Sequence, residues 1–152
     1  MATHPVDMDP VEEVYRTDHA RLWRSLVGFS GDADIAAEAE AEAYSQAIAR
    51  GDHLDDPRAW IWRAAFRIAA GLLADRGRQV PPPGETPQLD TPLVEFLSLL
   101  GELSEQQRAA VVLRYAGGLR PAEIAEVLDT SAGTIRVQLH RAHAQLRERM
   151  ER

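Results

Sequence analysis

The sequence of 152 residues contains no cysteine and no lysine, and aromatic residues make up only 6% of it. Without cysteine, the chain can form neither disulfide bonds nor thiolate metal sites. Its five histidines have no further ligand at a plausible spacing, so we expect no metal and no cofactor. No apolar run approaches the roughly 20 residues that span a membrane, and the N-terminus lacks the pattern of a signal peptide. We therefore expect a cytoplasmic protein that is not inserted in a membrane.

Catalytic constellations are missing as well. The sequence has no paired carboxylates, no nucleophile with a matching base and no phosphate-binding glycine loop in a suitable context. These absences predict that the protein is not an enzyme.

Acidic residues outnumber basic ones, and the formal net charge is -7 at pH 7. Residues 1–80 contain nine arginines and 14 acidic residues, and residues 81–103 contain four acidic residues and no arginine. Residues 104–152 contain eight arginines and six acidic residues. Only this last third is net positive, so we expect any polyanion to bind there.

The first half of the sequence predicts three helices, over residues 11–29, 33–50 and 57–76. Each follows an aspartate that can cap its first turn: Asp9, Asp32 and Asp56. The third helix has apolar residues on two sides, so we expect it to be buried centrally. Trp62 and Phe66 lie on one of these sides, where we interpret them as core residues rather than stacking platforms for bases.

The second predicted helix is rich in alanine and glutamate. Its spacing turns five residues inward: Ile35, Ala39, Ala43, Ala47 and Ile48. It turns three residues mostly outward: Glu38, Glu40 and Glu42. The helix therefore has an acidic outer surface.

Residues 79–92 are proline-rich and acidic, and they predict an extended, flexible linker. A short apolar helix should follow over residues 93–100, and another over residues 105–116. Ser104 and Gln107 have the spacing of a capping box at the start of the latter helix. Gly117 and Gly118 can end it, because glycine readily adopts a left-handed conformation.

The stretch from Arg120 to Glu148 has the pattern of a helix-turn-helix. Pro121 suits the first turn of a short helix, and Ser131 can cap a longer one. The longer helix has an apolar stripe at three- and four-residue spacing: Ile135, Leu139, Ala142 and Leu146. Facing away from the stripe are Thr134, Arg136, Gln138, His140, Arg141 and Arg147.

No acidic residue lies between Ser131 and Arg147, so the outer face of this helix is cationic and rich in hydrogen-bond donors. A helix of this kind suits the major groove of DNA, with donors for base edges and arginines for phosphates. The competing interpretation is a solvated helix in an ordinary bundle.

Three segments carry a family resemblance: LSEQQRAAVVLRYAGGL, PAEIAEVL and GTIRVQLHRAHAQLRE. They resemble region 4 of bacterial RNA polymerase sigma factors of the extracytoplasmic-function (ECF) group. The segment PRAWIWRAAFRIAAGLL more loosely resembles region 2, with Trp60 in the buried tryptophan position. The resemblance implies an all-α protein with a region 2-like three-helix domain (residues 9–78), a linker (79–92) and a region 4-like helix-turn-helix domain (93–152).

The resemblance also implies a sigma factor that binds core RNA polymerase and directs promoter-specific transcription initiation. An anti-sigma factor would be a further partner. The C-terminal domain would read the −35 element with Arg120, Ser131, Thr134, Arg136, Gln138, His140, Arg141 and Arg147. Polymerase would contact Asp34, Ile35, Glu38 and Glu42. Promoter melting would use Arg63, Arg67, Arg76 and Arg78.

Two departures from the family pattern leave an alternative open. The loop before the third helix carries Asp52, Asp55 and Asp56 where basic or aromatic residues are common, and the basic run after this helix is thin. The alternative is a sigma-like interaction protein with weakened melting that binds an anti-sigma factor or another partner. A dimeric helix-turn-helix repressor has less support, because no long dimerisation helix is visible.

Overall fold

A computed structural model describes residues 9–76 and 91–151 of the chain. This part contains seven α-helices and no strand, so the predicted all-α fold is confirmed. The helices are α1 (Pro10–Ser30), α2 (Ala33–Arg50), α3 (Pro57–Arg76), α4 (Thr91–Gly101), α5 (Glu105–Tyr115), α6 (Pro121–Leu128) and α7 (Ala132–Met150). Residues 79–90 of the predicted linker lie outside the described residues, and its last two residues belong to α4 instead.

The predicted caps are present at the starts of the helices. Asp9 accepts a hydrogen bond of 2.8 Å from the backbone N–H of Val11, and Asp32 accepts one of 2.8 Å from that of Asp34. Ser104 and Gln107 form the reciprocal capping box. These side chains satisfy N–H groups that have no partner within the helix.

Helix α3 is central, because it packs on α1, α2 and α6. Trp62 is 1% exposed and Phe66 is also buried, as predicted for core residues. The assignment of Trp60 to the buried tryptophan position was wrong. Trp60 of α3 is half-buried beside the last residue of α2, Arg50, whose guanidinium lies 4.9 Å from the centroid of the Trp60 ring. Trp62 instead points into the centre of the molecule.

Helix α2 departs from the prediction at two positions. Glu40 was expected outside but is buried against α1, where its carboxylate lies 2.6 Å from Nδ1 of His19. Ile48 was expected inside but is 65% exposed. Ile48 follows the buried Ala47 by about a quarter turn, which directs its side chain away from α1 and α3.

The two groups of helices, α1–α3 and α4–α7, share one hydrophobic core. Contacts between them join α1 to α4 and α5, and α3 to α6. Gly28 allows the closest approach, because a Cβ atom there would lie 2.9 Å from Cγ1 of Val112. Among the described residues, no helix has the length and hydropathy required to cross a membrane.

Candidate nucleic-acid interface

Helices α6 and α7 pack on each other and on α5 as a helix-turn-helix. Ile124 and Ala125 of α6 are buried, and so are Ile135, Leu139 and Ala142 of α7. These residues recur at three- and four-residue spacing, so burying them leaves the opposite side of α7 outside. The apolar stripe predicted for this helix therefore forms its inner face.

A tight turn sets the direction of α7. Asp129 ends α6 in the left-handed conformation, with φ of 56°, and the N–H of Thr130 donates a 2.9 Å hydrogen bond to the Ala125 carbonyl. Ser131 then caps α7 by accepting a 3.1 Å hydrogen bond from the N–H of Thr134. The chain thus reverses within a few residues and presents the first turn of α7 to the outside.

Four of the predicted DNA-binding residues form one open cationic surface on α7. They are Arg136, His140, Arg141 and Arg147. All four are exposed, and within the described residues none of their side chains makes a hydrogen bond or an ion pair. Their donors are therefore available to a ligand outside the chain.

Three other predicted DNA-binding residues on α7 already have partners within the chain. Gln138 is half-buried and donates a 3.2 Å hydrogen bond to the side chain of Gln106 on α5. The hydroxyl groups of Ser131 and Thr134 lie 2.8 Å apart and belong to the helix cap. The DNA-binding set predicted for α7 is therefore divided among an open surface, the helix cap and a side-chain contact with α5.

Arg120 lies at the start of α6 with a highly exposed side chain, 3.3 Å from the carboxylate of Glu123. The pKa of Glu123 is lowered, chiefly by the hydrogen bond that its carboxylate accepts from the backbone N–H of Arg120. This ion pair is open to solvent and can be exchanged for a phosphate contact at little cost.

The polymerase-contact residues predicted on α2 are only partly on the surface. Asp34, Glu38 and Glu42 are exposed. Ile35 is fully buried in the core, so its predicted role as a contact residue was wrong. Inward spacing and a surface role were both assigned to this residue, and the packing of α2 allows only the first.

The promoter-melting residues predicted on α3 lie in different surroundings. Arg63 and Arg67 line a cleft of about 640 Å³ between the two groups of helices, with Glu105 and Asp129 on the opposite side. Arg76 instead pairs with Glu38 at 2.9 Å. Arg78 lies outside the described residues. Of the three arginines that the structure describes, only Arg63 and Arg67 line the same cleft.

Asp18 is the centre of a buried hydrogen-bond network that was not predicted from the sequence, and this network reaches the C-terminal helices. Asp18 of α1 is fully buried and accepts 2.8 Å hydrogen bonds from Trp62 and Arg58 of α3 and from Arg21. Burial alone would raise the pKa of Asp18, but the hydrogen bonds, led by that from Trp62, lower it. Arg21 also donates a 2.8 Å hydrogen bond to the carbonyl of Gly117, next to the helix-turn-helix.

Comparison with known proteins agrees with this geometry. A family model described as Sigma-70, region 4 matches residues 93–146, from α4 into α7. The chain is 29% identical to the RNA polymerase sigma-E factor of Streptomyces antibioticus, over 92% of this chain and 84% of that protein. It is 23% identical to the ECF RNA polymerase sigma-E factor of Haemophilus influenzae, over 99% of this chain and 80% of that protein.

Two solved structures have a similar fold. The sigma factor RpoE, in complex with the anti-sigma factor NepR from Bartonella quintana, has a TM-score of 0.77 and 21% identity, covering 95% of this chain and 98% of that chain. CnrH, in complex with the cytosolic domain of CnrY, has a TM-score of 0.77 and 22% identity, covering 93% of this chain and 87% of that chain. These two likenesses concern the arrangement of the helices.

Proposed function

We propose that this chain is a sigma factor of the ECF group, because relatives with that role resemble it over most of its length, and that it binds core RNA polymerase and directs it to promoters through α7. The observation that carries the proposal is the uncovered cationic face of α7, formed by Arg136, His140, Arg141 and Arg147. A protein with a net charge of -7 that leaves such a face open is suited to a local polyanion. The first turns of α7 would read base edges of the upstream element, and flanking arginines would bind phosphates.

The acidic face of α2 is the proposed contact with core polymerase. Asp34, Glu38 and Glu42 share this face and are exposed. Replacing Asp34 and Glu42 with arginine should weaken capture of the full-length protein by immobilised core polymerase, because two attractive charges become repulsive. Glu12 and Glu13 on α1 are exposed acids outside this face, and their reversal to arginine is the matched control.

Run-off transcription with purified core polymerase tests the function as a whole. The protein should give promoter-dependent transcripts, and replacing both Arg136 and Arg141 with alanine should abolish them. In a binding assay, each of these two replacements should lower the slope of log affinity against log salt by about one unit, because one phosphate contact is lost. Unchanged run-off transcription by the variant with both replacements would overturn the role of α7.

Arg149 offers a matched control for these variants. It lies on the last turn of α7 and pairs with Glu102 at 3.0 Å, so it is already engaged within the chain. Replacing Arg149 with alanine should leave both transcription and the salt slope nearly unchanged.

Promoter melting needs a further condition. Arg63 and Arg67 line the cleft between the two groups of helices. Arg67 is exposed, whereas Arg63 is half-buried, so a single strand would reach both fully only after the groups separate. We therefore propose that melting occurs in an arrangement opened on polymerase. Replacing both arginines with alanine should reduce the permanganate reactivity of promoter thymines while leaving closed-complex formation intact.

An anti-sigma factor is the proposed regulatory partner, because the similar structure of RpoE was solved with the anti-sigma factor NepR. A protein purified with this chain should then suppress run-off transcription when it is added back. The alternative of an interaction protein with weakened melting is less well supported, since relatives that match most of this chain are named sigma factors. We expect the protein in the cytoplasm, where polymerase and promoters are found.

A further inference from the structure

The side of α7 that points away from the core carries two residues whose type is not explained by packing within the chain. Val137 lies two positions from both Ile135 and Leu139, which are buried. Two residues correspond to slightly more than half a helical turn, so Val137 points directly away from the core. Gly133, four positions earlier, lies on the same line.

Val137 is 47% exposed between arginine and glutamine side chains. A β-branched residue forms helix less readily than alanine, which fills many other exposed helical positions of this chain. No contact within the described residues favours valine over alanine at this position. Its two methyl groups therefore form an apolar spot at the centre of the cationic face.

Gly133 lies in the first turn of α7 and is exposed. A Cβ atom there would meet only the Ser131 hydroxyl, at an ordinary 3.9 Å, and the backbone does not have the positive φ that favours glycine. Glycine is the poorest helix former after proline, so alanine would suit the folded chain better. The absence of a side chain instead leaves room for something outside the protein.

We propose that Gly133 and Val137 form the part of α7 that touches the floor of the DNA major groove, with Val137 contacting the methyl group of a thymine. This inference rests on the proposed function. The absent side chain at Gly133 lets the helix approach closely, and an apolar side chain is suited to the thymine methyl group. Gln138, which is turned toward Gln106, is thereby replaced by Val137 as the central base-reading residue.

Thymine-to-uracil replacement tests the methyl contact, because it removes that methyl group and nothing else. Full-length protein with core polymerase would first select an upstream element from random duplexes, and each thymine would then be replaced in turn. At one position, uracil should weaken binding about threefold to fivefold, the effect of burying one methyl group. Val137→Ala should bind the thymine and uracil duplexes equally.

Met150→Ala is the matched control for Val137→Ala. Met150 is also an exposed apolar residue of α7, but it lies at the far end of the helix. This variant should keep the sensitivity to uracil. Binding that is indifferent to every thymine methyl group, or sensitivity that survives in Val137→Ala, would overturn the inference while leaving the proposed function intact. Absence of any sequence preference would instead overturn the proposed function.

Gly133→Ala provides a second test with effects of opposite sign. The variant should unfold at a higher temperature, because alanine favours helix, yet bind the upstream duplex at least threefold more weakly. Gly71→Ala is its control, since Gly71 is an exposed helical glycine on α3 with open space around its Cβ position. It should raise the unfolding temperature without changing upstream binding. Undiminished binding by Gly133→Ala would contradict the close approach.

Discussion

The guanidinium of Arg108 on α5 donates a 2.7 Å hydrogen bond from Nε to the backbone carbonyl of Phe29 on α1. A second hydrogen bond of 3.2 Å joins Arg108 to the carbonyl of Leu103. Arg108 is only 5% exposed, and this burial lowers its pKa. One buried side chain thus ties the N-terminal helices to the C-terminal ones.

Replacing Arg108 with methionine should lower the free energy of unfolding by about 2–4 kcal/mol, because buried backbone carbonyls lose charged donors. Urea denaturation followed by circular dichroism measures this change. Arg149→Met is the control, since its exposed ion pair with Glu102 should contribute little. Equal stability of the two variants would contradict the role of Arg108 in joining the two groups of helices.

Gly28 and Val112 should show strong energetic coupling. Alanine at residue 28 would place Cβ 2.9 Å from Cγ1 of Val112, which forces α1 and α5 apart and costs about 1–2 kcal/mol. Val112→Ala removes the obstructing atom, so the double variant should lose at least about 0.5 kcal/mol less than the sum of the single losses. Thermal denaturation of all four proteins completes the cycle, and strict additivity would argue against this contact.

Asp18 should make stability depend on pH in the acid range. Its folded pKa lies below the ordinary value of 3.8, so its contribution is fully present above about pH 4 and is lost as the pH falls through the folded pKa. Asp18→Asn should be less stable than the unsubstituted protein at pH 6, and the difference should shrink below pH 4. Urea titrations at several pH values measure it; a difference that stays constant would contradict the lowered pKa.

Asp129→Gly should stabilise the protein by about 0.5–1 kcal/mol, because residue 129 has φ of 56° and glycine adopts this conformation without steric cost. Asp129→Asn removes the charge but keeps a side chain of similar shape, so it should change stability less. Thermal unfolding of both variants separates the two effects. A loss of stability in Asp129→Gly would show that its carboxylate matters more than its backbone.

The sequence by itself determined where the helices begin and end, because capping and periodic burial act within a few residues of each other. The bounds of α2 and α3 agree with the prediction, and the caps at Asp32 and Ser104 are confirmed. The cationic outer face of α7 was also predictable, since the apolar stripe on one side of a helix leaves the other side to solvent.

Only the tertiary structure decided which of several plausible faces each helix buries. The contrast between Trp60 and Trp62 depends on Asp18, which lies more than 40 residues away and accepts the Trp62 N–H. Gln138 is turned from the open face toward Gln106, to which it donates a hydrogen bond, and Glu40 is buried beside His19. Such choices depend on partners that are distant along the chain, and local spacing carries no information about them.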